Sequence, residues 1–104
     1  MTMEAQRAQG TTELRQGYLE VLAAALTRRG LCARLQAPGG RVPSLHVVNP
    51  AASMLAENIF AACGRDGAWW FWWSWAERIA VAGDAEAAAS RITQVLASVQ
   101  GDDR

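Results

Sequence analysis

The chemically most distinctive feature of this sequence is a run of tryptophans. Five of them fall within the seven positions from Trp69 to Trp75, and Arg78 follows shortly afterwards. Indole rings bury large areas, stack on planar groups and attract cations to their faces. The guanidinium of Arg78 is therefore a candidate to stack on one of the rings. This chemistry is that of recognition and not of bond making.

The residues that could support catalysis are few and scattered. His46 is the only histidine, and we could not assemble the three convergent ligands that a metal site needs. Ser74 lacks a Gly-x-Ser-x-Gly turn, so we expect its hydroxyl to hydrogen-bond locally. Cys32 and Cys63 form no Cys-x-x-Cys pair, and we interpret them as buried or half-buried apolar residues. The sequence therefore favours a non-enzymatic protein with no metal and no cofactor.

The elements that must position the tryptophans follow from hydrophobic spacing. We predict a first helix from Thr11 or Thr12 to a glycine cap at Gly30, and a second helix from Asp84 to Gly101. Between the helices, alternating patterns and turn residues predict strands over 31–36, 42–48, 57–63 and 68–76. An Asp-Gly turn at 66–67 joins the last two strands. Residues 51–56 fit either a loop or one helical turn.

These elements predict a single α+β domain over residues 1–104. Its order is helix, four-stranded antiparallel meander sheet, helix, with both helices packed on one sheet face. Residues 1–10 are expected to be a flexible arm and residues 101–104 a tail.

Strand alternation over 68–76 divides the aromatic run between the two sheet faces. One face carries Trp69, Phe71, Trp73 and Trp75, and we expect the helices to cover it. The other face carries Trp70, Trp72, Ser74 and Ala76, and we expect Ile59 and His46 to lie nearby.

Three interpretations of the second face stay open. It binds a partner protein or a second copy of the chain, through Trp70 and Trp72 with Arg78 at the rim. It is covered by another part of the chain and belongs to the core. Or it helps to form a tryptophan-lined pocket for a small molecule near Ser74, His46 and Glu77. The first is the favoured function, and the pocket is the alternative.

Charge and hydropathy exclude some classes of partner. The basic residues are ten arginines and no lysine, and ten acidic residues balance them. A neutral chain without a basic run is a poor candidate for binding single-stranded nucleic acid. The first ten residues have no apolar core of a secretory signal, and the longest apolar run, 68–73, is too short to span a bilayer. We therefore expect a cytoplasmic protein.

The stretch Gly67–Ile79, with its tryptophans and the alanine-rich helix that follows, resembles a group of small uncharacterised actinobacterial proteins. The resemblance covers most of the chain and implies a bacterial, cytoplasmic origin, but it brings no activity with it. By the order of its elements, the chain is also similar to small bacterial secretion-chaperone-like domains. This second likeness implies a fold and no function.

Overall fold

The computed structural model describes the backbone of residues 2–37, 42–52 and 54–101. It describes the side chains of the same residues except for 2–11 and 97–101. The elements are α1 (Thr2–Arg28), β1 (Cys32–Gln36), β2 (Ser44–Val48), β3 (Ala56–Cys63), β4 (Trp69–Trp73), β5 (Arg78–Val81) and α2 (Ala85–Gly101). The strands form one antiparallel sheet in the order β1-β2-β3-β4-β5. The α+β meander between two helices is confirmed, with one strand more than the four predicted.

The additional strand arises because the aromatic run is not a single strand. β4 ends at Trp73, where the Trp73 N–H donates to the Glu77 carbonyl at 2.8 Å and the Ala76 N–H donates to the Trp73 carbonyl at 3.0 Å. These bonds close a tight turn over Ser74-Trp75-Ala76, and the chain returns as β5. The prediction that Ser74, Trp75 and Ala76 continue the strand is therefore wrong.

The long helix α1 starts earlier than predicted. Its backbone is helical from Thr2, so the segment interpreted as a flexible arm is helical and Thr11 or Thr12 is not the start. Its end follows the prediction, because Gly30 has a φ of 92° and the Leu31 N–H donates to the Leu26 carbonyl at 3.1 Å. This is a glycine-based Schellman cap. The predicted tail over 101–104 begins with helical Gly101, and 102–104 lie outside the described residues.

The core lies between the two helices and one face of the sheet. Leu22 and Leu26 of α1 and Ile92 of α2 are buried in one cluster with the strand residues that point towards them. Those strand residues are Leu45, Val47, Ile59, Ala61, Phe71, Trp73 and Ile79. Trp69 joins the same side, with its ring centroid 5.6 Å from that of Tyr18 on α1. Both helices therefore cover the same sheet face, as the apolar stripes predict.

The two helices are also joined at their ends. Asp84 caps α2 by accepting the Ala87 N–H at 3.0 Å, as predicted. In the first turn of α2, Glu86 pairs with Arg28 at 2.7 Å and with Arg29 at 3.4 Å, both at the end of α1. The hydrogen bond from Arg28, supported by Arg29, lowers the pKa of the Glu86 carboxyl below its ordinary value. The pair also places an acid at a helix N-terminus and bases at a helix C-terminus, which favours both helix dipoles.

The connection from β2 to β3 is a loop anchored by a buried amide. Asn49, 6% exposed, donates from Nδ2 to the Leu96 carbonyl of α2 at 3.1 Å, and its Oδ1 accepts the Ala51 N–H at 2.9 Å. Of the two possibilities for 51–56, the loop is therefore observed, with Ala56 already in β3. Among the described residues, no helix has the length and apolar character to cross a membrane.

Candidate functional site

The candidate site is the sheet face opposite the helices, which we call the outer face. Pairing registers place Phe60, Trp72 and Arg78 side by side on β3, β4 and β5. Ala62, Trp70 and Val81 form the neighbouring row on the same strands. On the other side of Phe60, Arg34, His46 and Asn58 form a third row across β1, β2 and β3. Among the described residues, no helix packs on this face.

Arg78 is laid across the tryptophans of the outer face. Its guanidinium carbon is 4.5 Å from the Trp70 ring centroid and 5.4 Å from that of Trp72. Both distances are within the range of a cation–π interaction, and one guanidinium serves two rings. With Phe60 opposite Trp72, these residues form what we call the aromatic–arginine cluster (Phe60, Trp70, Trp72 and Arg78). The sequence-based expectation that Arg78 could stack on a tryptophan agrees with this geometry.

The turn before β5 explains how Arg78 reaches the rings. The pairing of β4 with β5 shifts register between Phe71 and Trp72, so Arg78 pairs with Trp72 while Ala80 pairs with Phe71. A β-bulge of this kind re-aims side chains and increases local twist. It keeps Arg78 on the outer face and turns Ile79 into the core, where it is buried. A single straight strand would have left Arg78 beyond the rings.

The two indole N–H groups of the cluster have different environments. The Trp72 Nε1 donates to the Ala62 carbonyl at 3.3 Å. The Trp70 Nε1 is buried and has no acceptor, and it is alone in this among the side-chain nitrogens and oxygens of the described residues. Buried donors are nearly always paired in native proteins, so an unpaired one requires an explanation. Here it lies on the ring that carries Arg78.

The opposite end of the outer face is polar. The His46 Nδ1 is 3.0 Å from the Asn58 Oδ1, which can only accept, so Nδ1 carries the proton of this bond. A cavity of about 350 Å³ opens beside His46 at the β1 edge, lined by Cys32, Ala33, Arg34, His46 and Val48. Of the residues of the predicted tryptophan-lined pocket near Ser74, His46 and Glu77, only His46 lines this cavity, and no tryptophan does. Ser74 and Glu77 bound the turn after β4, two strands away from β2.

The structure thus brings together three of the five residues proposed as a site: Trp70, Trp72 and Arg78. His46 shares their face but lies two strands away, and exposed Ser74 is in the turn, with no described contact to the cluster. Ile59 is buried in the core, where it pairs with Trp73 and not with Trp70 or Trp72, because its neighbour Phe60 points to the outer face. The alternation of side chains along β3 could have predicted that Phe60, and not Ile59, lies beside Trp72.

Trp75 was also assigned wrongly. It was expected under the helices, but it is 51% exposed and its ring is stacked on Trp73, with centroids 4.9 Å apart and planes 6° from parallel. Its Nε1 donates to the Glu77 carboxylate at 2.8 Å. Trp75 therefore covers the edge of the core from the turn. Cys32 and Cys63 are exposed, so their interpretation as buried or half-buried apolar residues is also wrong.

The electrostatics of the outer face are one-sided. Among the strand residues that point to it, Arg34 and Arg78 are cationic and none is acidic. Within the described part of the chain, neither arginine forms an ion pair, since the salt bridges found there are those of Glu86. The face is thus an aromatic surface with a guanidinium group on each edge strand. The Asp66 carboxylate of the β3–β4 turn lies near Arg78 without forming an ion pair, since Asp66 Oδ1 and Arg78 Nη2 are 3.1 and 3.7 Å from the position that a Cβ at Gly64 would take.

The arrangement is suited to binding. No cluster of three or more histidine, cysteine or acidic side chains that could hold a metal ion occurs among the described residues. The cluster contacts, cation over ring and ring beside ring, are those used to hold planar or charged groups. Comparison of the chain with protein-family models, with curated proteins and with solved structures returns no match.

Proposed function

We propose that this protein is a small, non-enzymatic interaction module that docks a partner protein, or a second copy of itself, on its outer face. The observation that carries the proposal is Arg78 lying across Trp70 and Trp72 on the sheet face away from both helices. Tryptophan and arginine are the residues most enriched at the energetic centres of protein interfaces.

The geometry of the cluster supports a pre-organised docking surface. Trp70 and Trp72 are half-buried in the sheet, so their rings have little conformational freedom to lose on binding. Rigid aromatic side chains offer large contact area at a small entropic cost. Arg78 itself is exposed and can exchange its solvent contacts for a partner's. The face therefore combines fixed rings with an accessible charge.

The test is the mass of the protein in solution over a range of concentrations, for the wild type and for Trp70→Ser/Trp72→Ser. A wild-type dimer that becomes a folded monomer in the variant supports self-association through the outer face. Trp75→Ser is the matched control, because it removes a more exposed indole from outside that face. A wild type and double variant of equal mass and equal partner capture would contradict the proposal.

A small-molecule function is the second candidate, and the cavity beside Arg34 and His46 is the observation that favours it. Its volume of about 350 Å³ is near the lower end of known ligand sites. Thermal-shift screening with small carboxylic acids tests it. Stabilisation that Arg34→Gln abolishes and Arg91→Gln retains would support this function, and no stabilisation would remove it.

A further inference from the structure

The strand residues of the outer face include hydrogen-bond donors with positive charge but no negatively charged acceptor. Arg34 and Arg78 lie on β1 and β5, and no acidic strand residue shares the face with them. The Trp70 Nε1, the one buried side-chain donor without an acceptor among the described residues, is on a ring of the same face. Guanidinium and indole N–H groups only donate. The two exposed guanidinium groups are therefore the donors on this face that a negatively charged acceptor can reach.

We propose that the outer face binds an acidic peptide segment of a partner protein, laid across the strands so that carboxylates reach Arg78 at one end and Arg34 at the other. This inference rests on the proposed function and adds the chemical class of the partner. Charge complementarity argues for it, since unpaired arginines favour carboxylates that they can bind bidentately.

The spacing of the arginines sets the length of the segment. Four inter-strand steps of about 4.8 Å separate β1 from β5, so the backbones that carry Arg34 and Arg78 are roughly 20 Å apart. An extended peptide advances about 3.3 Å per residue, and about six residues therefore bridge the distance. Between the anchors, the peptide would cross His46 and Asn58 and then Phe60 and Trp72. The expected ligand is thus acidic at two positions about six residues apart, with planar or apolar residues between them.

Single-stranded nucleic acid is the competing class of ligand, because its bases also stack on aromatic rings. The structure favours the peptide. Arg78 already lies on the rings of Trp70 and Trp72, where a base would have to stack. The phosphate backbone of a nucleic acid carries a charge at every nucleotide, but the strand residues of the outer face provide only two arginines to neutralise it. An oligonucleotide is therefore included in the experiment as a competing probe.

The experiment is a phage-display selection of random 12-residue peptides. Peptides that bind the wild-type protein are kept, and those that also bind the Arg78→Gln variant are removed. Arg78 is exposed, so this variant is expected to keep the fold. We expect the retained peptides to be enriched in pairs of acidic residues about six positions apart. For the best peptide, Arg78→Gln and Arg34→Gln should each weaken binding about tenfold, consistent with the loss of one charge-assisted contact.

Arg91→Gln is the matched control. It makes the same charge change on α2, which packs on the other side of the sheet, and should leave the affinity unchanged. Added salt should weaken binding of the acidic peptide.

Each other outcome overturns the inference in its own way. Retained peptides without acidic residues, still dependent on Trp70 and Trp72, would refute the acidic partner and leave the proposed docking function standing. An oligothymidine that binds with the same dependence on Arg78 and Arg34, while acidic peptides do not bind, would assign the face to nucleic acid. If no peptide is retained, the inference falls, and the solution-mass test decides separately whether the docking function falls with it.

Discussion

The guanidinium carbon of Arg78 lies 4.5 Å from the ring centroid of Trp70, although eight positions separate the two residues and a turn intervenes. The turn over Ser74-Trp75-Ala76 reverses the chain, and the register shift beside Trp72 directs Arg78 back over the ring. The outer face thus acquires its charge from the strand that follows the tryptophans. This relationship makes the cluster testable by single substitutions.

Removing the Arg78 guanidinium should lower stability slightly and expose the rings. Arg78→Ala loses contacts with two indoles, and an exposed cation–π interaction contributes about 0.5–1 kcal/mol. We expect the free energy of unfolding in urea to fall by about that amount, and tryptophan fluorescence to move towards longer wavelength. Arg91→Ala should change neither quantity, because no described ring or acid contacts Arg91. An unchanged emission spectrum in Arg78→Ala would contradict the contact.

Ala76 occupies a backbone conformation that favours glycine. Its φ is 70°, and the same turn geometry recurs before β4, where Gly67 has a φ of 84°. A left-handed conformation costs a residue with a Cβ about 1–2 kcal/mol, partly offset by the greater chain entropy of glycine. Ala76→Gly should therefore stabilise the protein by up to about 1 kcal/mol in urea unfolding.

Gly67→Ala is the matched reverse of this substitution. Its added Cβ would meet no atom within 4 Å, so backbone strain is the only cost. The loss of chain entropy by glycine offsets part of this strain here too, so we expect a loss of up to about 1 kcal/mol. If both variants shift stability in the same direction, Ala76 does not have the left-handed backbone conformation described here.

The buried amide of Asn49 should be important for stability. It joins the β2–β3 loop to α2 through the Leu96 carbonyl, and it accepts the Ala51 N–H. Asn49→Ala removes both hydrogen bonds, of which the one to the Leu96 carbonyl is buried, and the loss costs about 1–3 kcal/mol. Asn49→Asp should be worse at neutral pH, since a buried carboxylate repels the carbonyl, and should recover as acid protonates it. Equal stability of wild type and Asn49→Ala in thermal unfolding would exclude the link.

The Glu86 link between the helices gives stability a specific pH dependence. Its pKa is lowered in the folded protein from the ordinary value of 4.5, chiefly by the hydrogen bond from Arg28. A lowered folded pKa means that the unfolded chain takes up the proton first. The contribution is therefore complete above pH 4.5 and is lost as the pH falls through the lower folded pKa.

Glu86→Gln checks this dependence. The wild type should exceed the variant in urea midpoint at neutral pH, by a small margin because the pair is exposed, and the two should converge in strong acid. A difference that persists or grows on acidification would assign the effect to something other than the carboxylate.

Sequence patterns were sufficient for much of the scaffold because local physics dominates there. Period-two alternation identified β1, β2 and β3 to within two residues and placed Leu45 and Val47 on the face opposite His46, but it did not place Ile59 with them, which the pairing of β2 with β3 does. Gly30 and Asp84 marked helix ends because a left-handed cap and an N-cap are local requirements. The division of Trp70 and Trp72 from Phe71 and Trp73 followed from the same alternation.

Tertiary structure decided where the aromatic strand stops and what lies on its outer side. Nothing in the types of Ser74, Trp75 and Ala76 distinguishes a strand from a turn, and Ala76 is a poor residue for the conformation it adopts. The turn forms because β5 pairs with β4 and buries Ile79, which are gains from distant contacts. The same long-range pairing places Arg78 over Trp70, leaving a surface of aromatic rings and unpaired arginines. The sequence by itself determined the alternating faces, whose period is a property of each strand, and the packing of one strand on the next determined the site.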